Sequence, residues 1–253
     1  MFPVEIRSVK IGEGIPKVCA PIVGRSKDDI LAQAELISRL PLEIVEWRAD
    51  HFELVNNICE VQDVLNELRE ILGNKIILFT YRTKEEGGNG EFYSDEYRSL
   101  NLSILDLDVV DMIDIEAFND KYDKNEIINK AKKQGIKLIF SYHNFETTPP
   151  KEELISRMCQ MQEMQADIVK IAVMPESEED VSTLMYATRE MFLKYAKCPL
   201  VTISMGKLGV VSRMCGESFG SAISFGNVGQ PSAPGQIDAE ELFNILRKRH
   251  ENI

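Results

Sequence analysis

Eight short apolar segments alternate with longer segments of helical periodicity along almost the whole chain. The short segments are rich in Val, Ile and aromatic residues, as β-strands are, whereas the longer ones place apolar residues three or four positions apart. The predicted strands cover residues 17–23, 43–48, 75–82, 109–116, 136–143, 167–173, 199–205 and 220–226. Eight β-then-α units in 253 residues predict an α/β fold, a (β/α)8 TIM barrel.

An open, doubly wound sheet is the alternative to the barrel. Such sheets usually contain fewer units, and no G-x-G-x-x-G motif follows the first predicted strand. We therefore expect residues 1–253 to form a single barrel domain, with residues 1–16 as a short N-terminal β-hairpin. Segments with clear helical periodicity cover residues 27–40, 55–72, 125–134, 151–165, 177–195 and 238–249.

Composition narrows the range of partners. The chain has 29 Lys and Arg against 41 Asp and Glu, and the net charge of -12 argues against nucleic acid or an anionic membrane as a partner. Its five cysteines are dispersed without C-x-x-C spacing, which is typical of a reducing compartment and argues against a zinc site. The N-terminus lacks the apolar core of a signal peptide, and no apolar stretch is long enough to span a membrane. We expect a cytoplasmic protein.

Polar side chains follow the predicted strands at the points where they end. In a TIM barrel the carboxyl ends of all eight strands meet at one rim, so residues that are distant in sequence converge there. The residues selected by this rule are Glu46, Arg48, Arg82, Glu116, His143 and Lys170, together with Arg213, Ser232 and Gln236 in the loops after the seventh and eighth strands. The rim is therefore the predicted active site.

Lys170 is the most unusual of these residues, because lysine is rarely buried in an apolar strand without a partner or a use. Strand parity places it on the inner face with Ile168 and Ala172. Burial disfavours the charged ammonium, and a neutral amine is a nucleophile that forms an imine with a carbonyl carbon. Such an imine acidifies the neighbouring C–H, so a base is needed, and His143 is the histidine at a strand end. Glu86 is positioned to orient that imidazole.

Each of these residues also has a simpler interpretation. Lys170 could pair with an acid or bind phosphate, His143 could be a hydrogen-bonded core histidine, and Glu46 beside Arg48 could form an interior salt bridge. The Gly-, Pro- and Ser-containing loop at residues 224–236 could be a phosphate-binding loop or a lid. The combination of a lysine, a histidine and several arginines at one rim favours catalysis, because a planar guanidinium binds carboxylate oxygens in pairs.

Seven motifs together resemble the type I 3-dehydroquinate dehydratase family. They are EWRAD (46–50), FTYRTKEEGG (79–88), DIE (114–116), SYHNF (141–145), VKIAVMP (169–175), ISMGKLGVVSR (203–213) and FGNVGQPSAPGQ (225–236). They occur in the family's order across nearly the whole chain. The resemblance implies a TIM barrel with an N-terminal hairpin, a homodimer, no metal or organic cofactor, and a place in the shikimate pathway.

The resemblance also implies a role for each site residue. Lys170 would form a Schiff base with the C3 ketone of 3-dehydroquinate, His143 would transfer the proton from C2 to the departing C1 hydroxyl, and Glu86 would support His143. Arg213 would bind the substrate carboxylate. The remaining implied substrate-binding residues are the polar Glu46, Arg48 and Arg82, the mobile-loop residues Ser232 and Gln236, and the apolar Met205, Phe225, Phe145 and Ala172.

Pro21 departs from the family pattern, since many members carry a serine there that contacts substrate. Proline has neither a hydroxyl nor a backbone N–H, so we expect that contact to be lost or replaced. Two other functions also stay open from the sequence: a class I aldolase, which uses a barrel lysine as well, and a non-catalytic barrel that binds a small organic acid.

Overall fold

The structure is a computed structural model that describes residues 3–92, 94–121 and 123–252. It begins with an antiparallel hairpin of β1 (Val4–Ile6) and β2 (Val9–Ile11). Positions 1 and 2 of the predicted hairpin segment lie outside the described residues. The barrel strands are β3 (Lys17–Ile22), β4 (Ile44–Arg48), β5 (Ile76–Thr80), β6 (Met112–Glu116), β7 (Lys137–Asn144), β8 (Ile168–Val173), β9 (Leu200–Ser204) and β10 (Ile223–Phe225).

A helix follows every one of these strands. The helices are α1 (Lys27–Ser38), α2 (Ile58–Leu72), α3 (Ser94–Leu105), α4 (Asn125–Gln134), α5 (Lys151–Glu163), α6 (Glu178–Lys194), α7 (Val210–Cys215) and α8 (Ala239–His250). Helices α1 and α6 begin with capping boxes, in which Ser26 pairs with Asp29 and Ser177 pairs with Asp180. The predicted alternation of strands and helices is confirmed.

The eight parallel strands of the described chain form one sheet in the order β10-β3-β4-β5-β6-β7-β8-β9. The sheet closes between its two edges at a parallel bridge of Leu200 with Ser221, where the Ala222 N–H donates to Leu200 O at 2.7 Å. The predicted TIM barrel is therefore confirmed as a nearly closed barrel. The assignment of all 253 residues to one domain stays a prediction.

Strand parity divides the apolar core into two layers. Val169, Ile171 and Val173 pack in the layer between strands and helices, whereas Ile168 and Ala172 belong to the barrel interior. The predicted orientation of β8 is thus correct, and it places Lys170 inside the barrel. No helix within the described ranges has both the length and the apolar character needed to cross a bilayer.

The hairpin covers the amino-terminal end of the barrel. Ile6 and Ile11 join the interior apolar layer, so they close that end of the barrel with hydrocarbon. Asp111 connects the hairpin to the barrel: its Oδ1 lies 2.7 Å from Arg7 Nε, and its Oδ2 lies 2.6 Å from Arg69 Nη2. The opposite end of the barrel contains the polar residues that the sequence singled out.

Candidate active site

A cavity at the carboxyl ends of the barrel strands gathers every residue that the sequence predicted for substrate and catalysis. Its walls are Glu46, Arg48, Arg82, Glu86, His143, Phe145, Lys170, Ala172, Met205, Arg213, Phe225, Ser232 and Gln236, with Gly87, Ile203 and Ala233. Glu116, the other strand-end residue selected from the sequence, lies behind this wall. It accepts hydrogen bonds from Thr83 N and Thr83 Oγ1, both at 2.8 Å, and so holds the end of β5.

Lys170 lies at the bottom of this cavity and is only 4% exposed. Its Nζ lies 3.3 Å from Asp114 Oδ2 and 3.6 Å from Glu46 Oε1, and it lies 4.6 Å from the centre of the Phe225 ring. The apolar surroundings expected from the sequence are therefore incomplete, because two carboxylates border the amine. Their negative charges would favour an iminium formed at this nitrogen.

Asp114 is the site residue that the sequence interpretation missed. Burial alone would raise its pKa, but the charges of Arg82 and Lys170 and the hydrogen bond from Ser141 outweigh burial and lower its pKa below the usual value. Ser141 Oγ donates to Asp114 Oδ1 at 2.6 Å, and Arg82 Nη2 lies 2.8 Å from the same oxygen. Parity along β6 was the available signal, since Asp114 shares the inner face with Glu116.

His143 and Glu86 form a buried pair beside Lys170 in the same cavity. His143 Nδ1 lies 2.8 Å from Glu86 Oε2, and the backbone N–H of His143 donates to the same oxygen at 3.2 Å. An ionised Glu86 can only accept hydrogen bonds, so in that state the ring proton lies on Nδ1 and Nε2 is the basic nitrogen. Burial, followed by the positive charges of Arg82, Lys170 and Arg48, holds the pKa of His143 well below its usual value. The imidazole is therefore neutral at neutral pH.

Glu86 is buried, although it lies in a Gly-rich loop. It ends a 3-10 turn over Lys84–Glu86, and Gly87 follows in the left-handed region at φ 78°. A Cβ on Gly87 would come within 2.3 Å of the Phe145 ring, so glycine allows that ring to cover the turn. Burial, with smaller contributions from Glu116 and Asp114, raises the pKa of Glu86 well above its usual value despite the opposing charge of Arg82.

The first two of the three predicted arginines are held by carboxylates. Arg82 lies 2.8 Å from Asp114, 3.3 Å from Glu116 and 3.4 Å from Glu86. Arg48 donates from both Nε and Nη2 to the two oxygens of Asp50, each at 2.8 Å. The simple Glu46–Arg48 salt bridge is therefore not the observed arrangement, since Glu46 instead faces Lys170.

Arg213 differs from the other two arginines. It lies on the short helix α7 and not in a loop, so the predicted loop position was wrong. Its Nη1 donates to Phe225 O at 3.2 Å and its Nη2 donates to Pro234 O at 3.1 Å, but Nε has no hydrogen-bond partner. Within the described part of the chain it has no carboxylate partner, and burial lowers its pKa to about 10. This is a buried cation suited to an anionic group of a ligand.

Ser232 and Gln236 lie in the loop between β10 and α8 and bond to each other. Gln236 Oε1 accepts from Ser232 N at 2.8 Å, and Gln236 Nε2 donates to Ser232 Oγ at 3.0 Å. Pro234, between them, accepts from Arg213 and also from Gly206 N at 3.1 Å. The loop therefore lies against Arg213.

Comparison with known proteins assigns the family. A family model of type I 3-dehydroquinase matches residues 18–253. A 3-dehydroquinate dehydratase of Clostridioides difficile strain 630 is 47% identical over 250 residues, covering 99% of this chain and 98% of that protein. The chain belongs to the type I 3-dehydroquinase family.

Solved structures of similar dehydratases agree with this family assignment. The type I 3-dehydroquinate dehydratase from Clostridium difficile, solved with covalently modified comenic acid, is 47% identical with a TM-score of 0.95 and covers 99% of this chain and 98% of that one. The 3-dehydroquinate dehydratase from Geobacillus kaustophilus is 36% identical with a TM-score of 0.94, covering 98% and 96% of the two chains. The similarity therefore includes both the hairpin and the barrel.

Pro21 stands where the resemblance predicts a substrate-contacting serine in many members of the family. It is buried on β3 and pairs in register with Glu46. At this position the chain contributes an apolar ring and no hydrogen-bond donor. Within the described residues, no group of three or more His, Cys, Asp or Glu side chains has the arrangement to hold a metal ion.

Proposed function

We propose that this chain is a hydro-lyase that converts 3-dehydroquinate to 3-dehydroshikimate through a Schiff base on Lys170, in the shikimate pathway that leads to aromatic amino acids. One observation carries the proposal. The buried amine of Lys170 shares a cavity with the His143–Glu86 pair and with Arg213, a buried cation without a carboxylate partner among the described residues. That set supplies a nucleophile, a base and a carboxylate-binding group.

Substrate binding begins with its carboxylate. Nε of Arg213 lacks an acceptor, and a ligand carboxylate would supply one in a site from which water is largely excluded. Arg48 and Glu46 then face the hydroxyl groups of the ring. The apolar side chains of Met205 and Phe225 cover the remaining ring carbons. The loop containing Ser232 and Gln236 closes over the ligand.

The imine forms when Lys170 Nζ adds to the C3 carbonyl carbon and the resulting carbinolamine loses water. The ammonium must first release a proton, and the neutral His143 is the base that accepts it. The product is an iminium, whose positive charge lies where Asp114 and Glu46 already flank the nitrogen. These carboxylates favour the iminium without further rearrangement, because they are fixed before the reaction.

Elimination follows from the electron demand of the iminium. His143 Nε2 removes the proton from C2, and the C–H electron pair forms an enamine. The enamine electrons then expel the C1 hydroxyl, which takes a proton from His143 and leaves as water. Hydrolysis of the remaining iminium releases 3-dehydroshikimate and restores the Lys170 amine. Glu86 keeps the imidazole in the required tautomer throughout.

The direct test is to mix the purified protein with 3-dehydroquinate and follow the ultraviolet absorbance of the enone product. We expect absorbance to rise, and we expect borohydride to inactivate the protein only when the substrate is present. Turnover without inactivation would contradict the Schiff base. Ligand binding without any enone would instead support a non-catalytic barrel, and cleavage of sugar phosphates would support an aldolase.

The proposal includes a homodimer and a cytoplasmic location. Exposed apolar side chains on and beside α6, namely Tyr186, Leu193 and Tyr195, are candidates for the contact between subunits. Light scattering after gel filtration should give twice the mass of the chain. A monomer at micromolar concentration would overturn this part of the proposal and leave the chemistry unaffected.

A further inference from the structure

Asp50 is a buried carboxylate that lies behind the wall of the active-site cavity. Its side chain is 0% exposed. It does not line the cavity itself, but it borders a groove on the outer side of the wall together with His51 and Asn89. A ligand in the cavity would therefore not touch it, and any part that it has in the reaction must act through its neighbours.

The first neighbour is Arg48. Asp50 accepts two parallel hydrogen bonds from it, from Nε and from Nη2, each at 2.8 Å. Such a contact fixes both the position and the plane of the guanidinium, because both partners are rigid and planar. A guanidinium has five N–H groups, so three remain, and Arg48 lines the cavity with them. Asp50 thus fixes the plane of the Arg48 guanidinium from outside the cavity.

The second neighbour is the turn that contains Glu86. Asp50 Oδ2 accepts from Asn89 N at 3.0 Å, and Oδ1 accepts from Arg82 N at 3.2 Å. Each oxygen therefore accepts one arginine N–H and one backbone N–H. Gly90 N also donates to Arg82 O at 2.9 Å, so the loop that contains Gly90 is bonded to the segment that follows β5. One carboxylate connects the end of β4, the end of β5 and the loop that follows Glu86.

Asp50 is ionised at neutral pH. Burial would raise its pKa, but the charge of Arg48 and the hydrogen bonds from Arg48 and Asn89 N outweigh burial and lower it. Asparagine has nearly the same shape but presents an NH2 group in place of one oxygen. That group would face N–H donors of Arg48 or Asn89, so an asparagine cannot reproduce the paired contact.

We infer that Asp50 is a positioning residue that fixes the plane of Arg48 for the hydroxyl groups of the substrate and holds the loop after Glu86 against the barrel. The inference rests on the proposed function, because it concerns binding of the same substrate in the same cavity. It predicts that Asp50 affects substrate binding through Arg48, without contact between Asp50 and the substrate.

The test is steady-state kinetics of Asp50→Asn with 3-dehydroquinate. We expect KM to rise about tenfold or more, with a smaller fall in kcat, since the lost interaction concerns binding more than the chemical step. In an Arg48→Ala background the same substitution should change KM by less than about twofold, because Asp50 affects KM through Arg48. An effect through the loop after Glu86 should instead lower kcat. An unchanged KM in Asp50→Asn, or an effect that adds fully to that of Arg48→Ala, would overturn the inference.

The matched control is Asp111→Asn at the opposite end of the barrel. Asp111 also pairs with arginines, Arg7 and Arg69, and accepts a backbone N–H from Ile77 at 2.8 Å. Its substitution should lower thermal stability and leave KM within about twofold of the wild type. An equal rise of KM in Asp111→Asn would show that any buried aspartate has this effect, and would overturn the inference.

If Asp50→Asn does not fold, Arg48→Lys tests the contact from the other side. Lysine keeps the charge but cannot form the two-bond contact, so KM should again rise about tenfold. A wild-type KM for Arg48→Lys would overturn the inference. Failure of the proposed function is distinguishable, because the wild-type protein would then show no turnover of 3-dehydroquinate.

Discussion

The two ends of the barrel differ in how their arginines are buried and paired. At the amino-terminal end, Arg69 bonds to Asp111 and also to Val109 O at 2.8 Å. At the carboxyl end, Arg213 is buried without a carboxylate partner among the described residues, and Nε lacks any acceptor. A buried charge without a counter-charge lowers the stability of a fold. The comparison indicates that the amino-terminal end stabilises the barrel, whereas the carboxyl end contains a cation that the proposed function assigns to a substrate carboxylate.

Lysines also differ between the two ends of the barrel, and replacing them should give the largest effect. Lys75, at the amino-terminal end, donates to Leu40 O at 2.7 Å and to Leu42 O at 2.6 Å, whereas Lys170 borders the cavity. We expect Lys170→Ala to lower kcat by about four orders of magnitude or more, because the covalent route is lost. Lys75→Ala should keep kcat within about twofold of the wild type. Similar rates in the two variants would remove the functional difference between the ends.

Replacing one arginine at each end of the barrel tests the comparison between the ends through both stability and substrate binding. Arg213→Met removes an unpaired buried charge, so the free energy of unfolding should stay the same or increase, while KM should rise about a hundredfold. Arg69→Met leaves Asp111 with a weaker set of partners, so the free energy of unfolding should fall by about 3 kcal/mol with little change in KM. Urea denaturation and steady-state kinetics measure both quantities. Equal losses of stability would contradict the distinction between the two ends.

The dependence on pH is the smallest expected effect. His143 must be neutral to act as a base, and burial with the positive charges of Arg82 and Lys170 lowers its pKa below the usual 6.5. Activity as kcat/KM should therefore be constant near neutral pH and fall only as the pH decreases through the lowered pKa of His143. An acid limb centred above pH 6.5 would show that the imidazole is charged at neutral pH, against this assignment.

Much of the fold was predictable because strand and helix periodicities are local. Two helices lacked such a signal: α7 has only six residues, too few to show a helical period, and the pattern of α3 is weak. The inward position of Lys170 was also predictable, because parity along a strand needs no knowledge of its neighbours.

The partners of the charged groups were not predictable in the same way. The contact of Lys170 with Asp114 joins residues 56 positions apart and depends on which strands are adjacent and in which register. The pairing of Arg48 with Asp50 was not predictable either, because Glu46 is equally close to Arg48 in sequence. Burial of Glu86 depends on the Phe145 ring that packs on Gly87, a contact between separate loops.

The most direct measurement is peptide mass mapping after the protein is treated with 3-dehydroquinate and borohydride. We predict a reduced adduct on the peptide that contains Lys170 and none on the peptide that contains Lys75, although burial lowers the pKa of Lys75. An adduct on Lys75 or elsewhere, with Lys170 unmodified, would contradict the assignment of Lys170 as the Schiff-base residue.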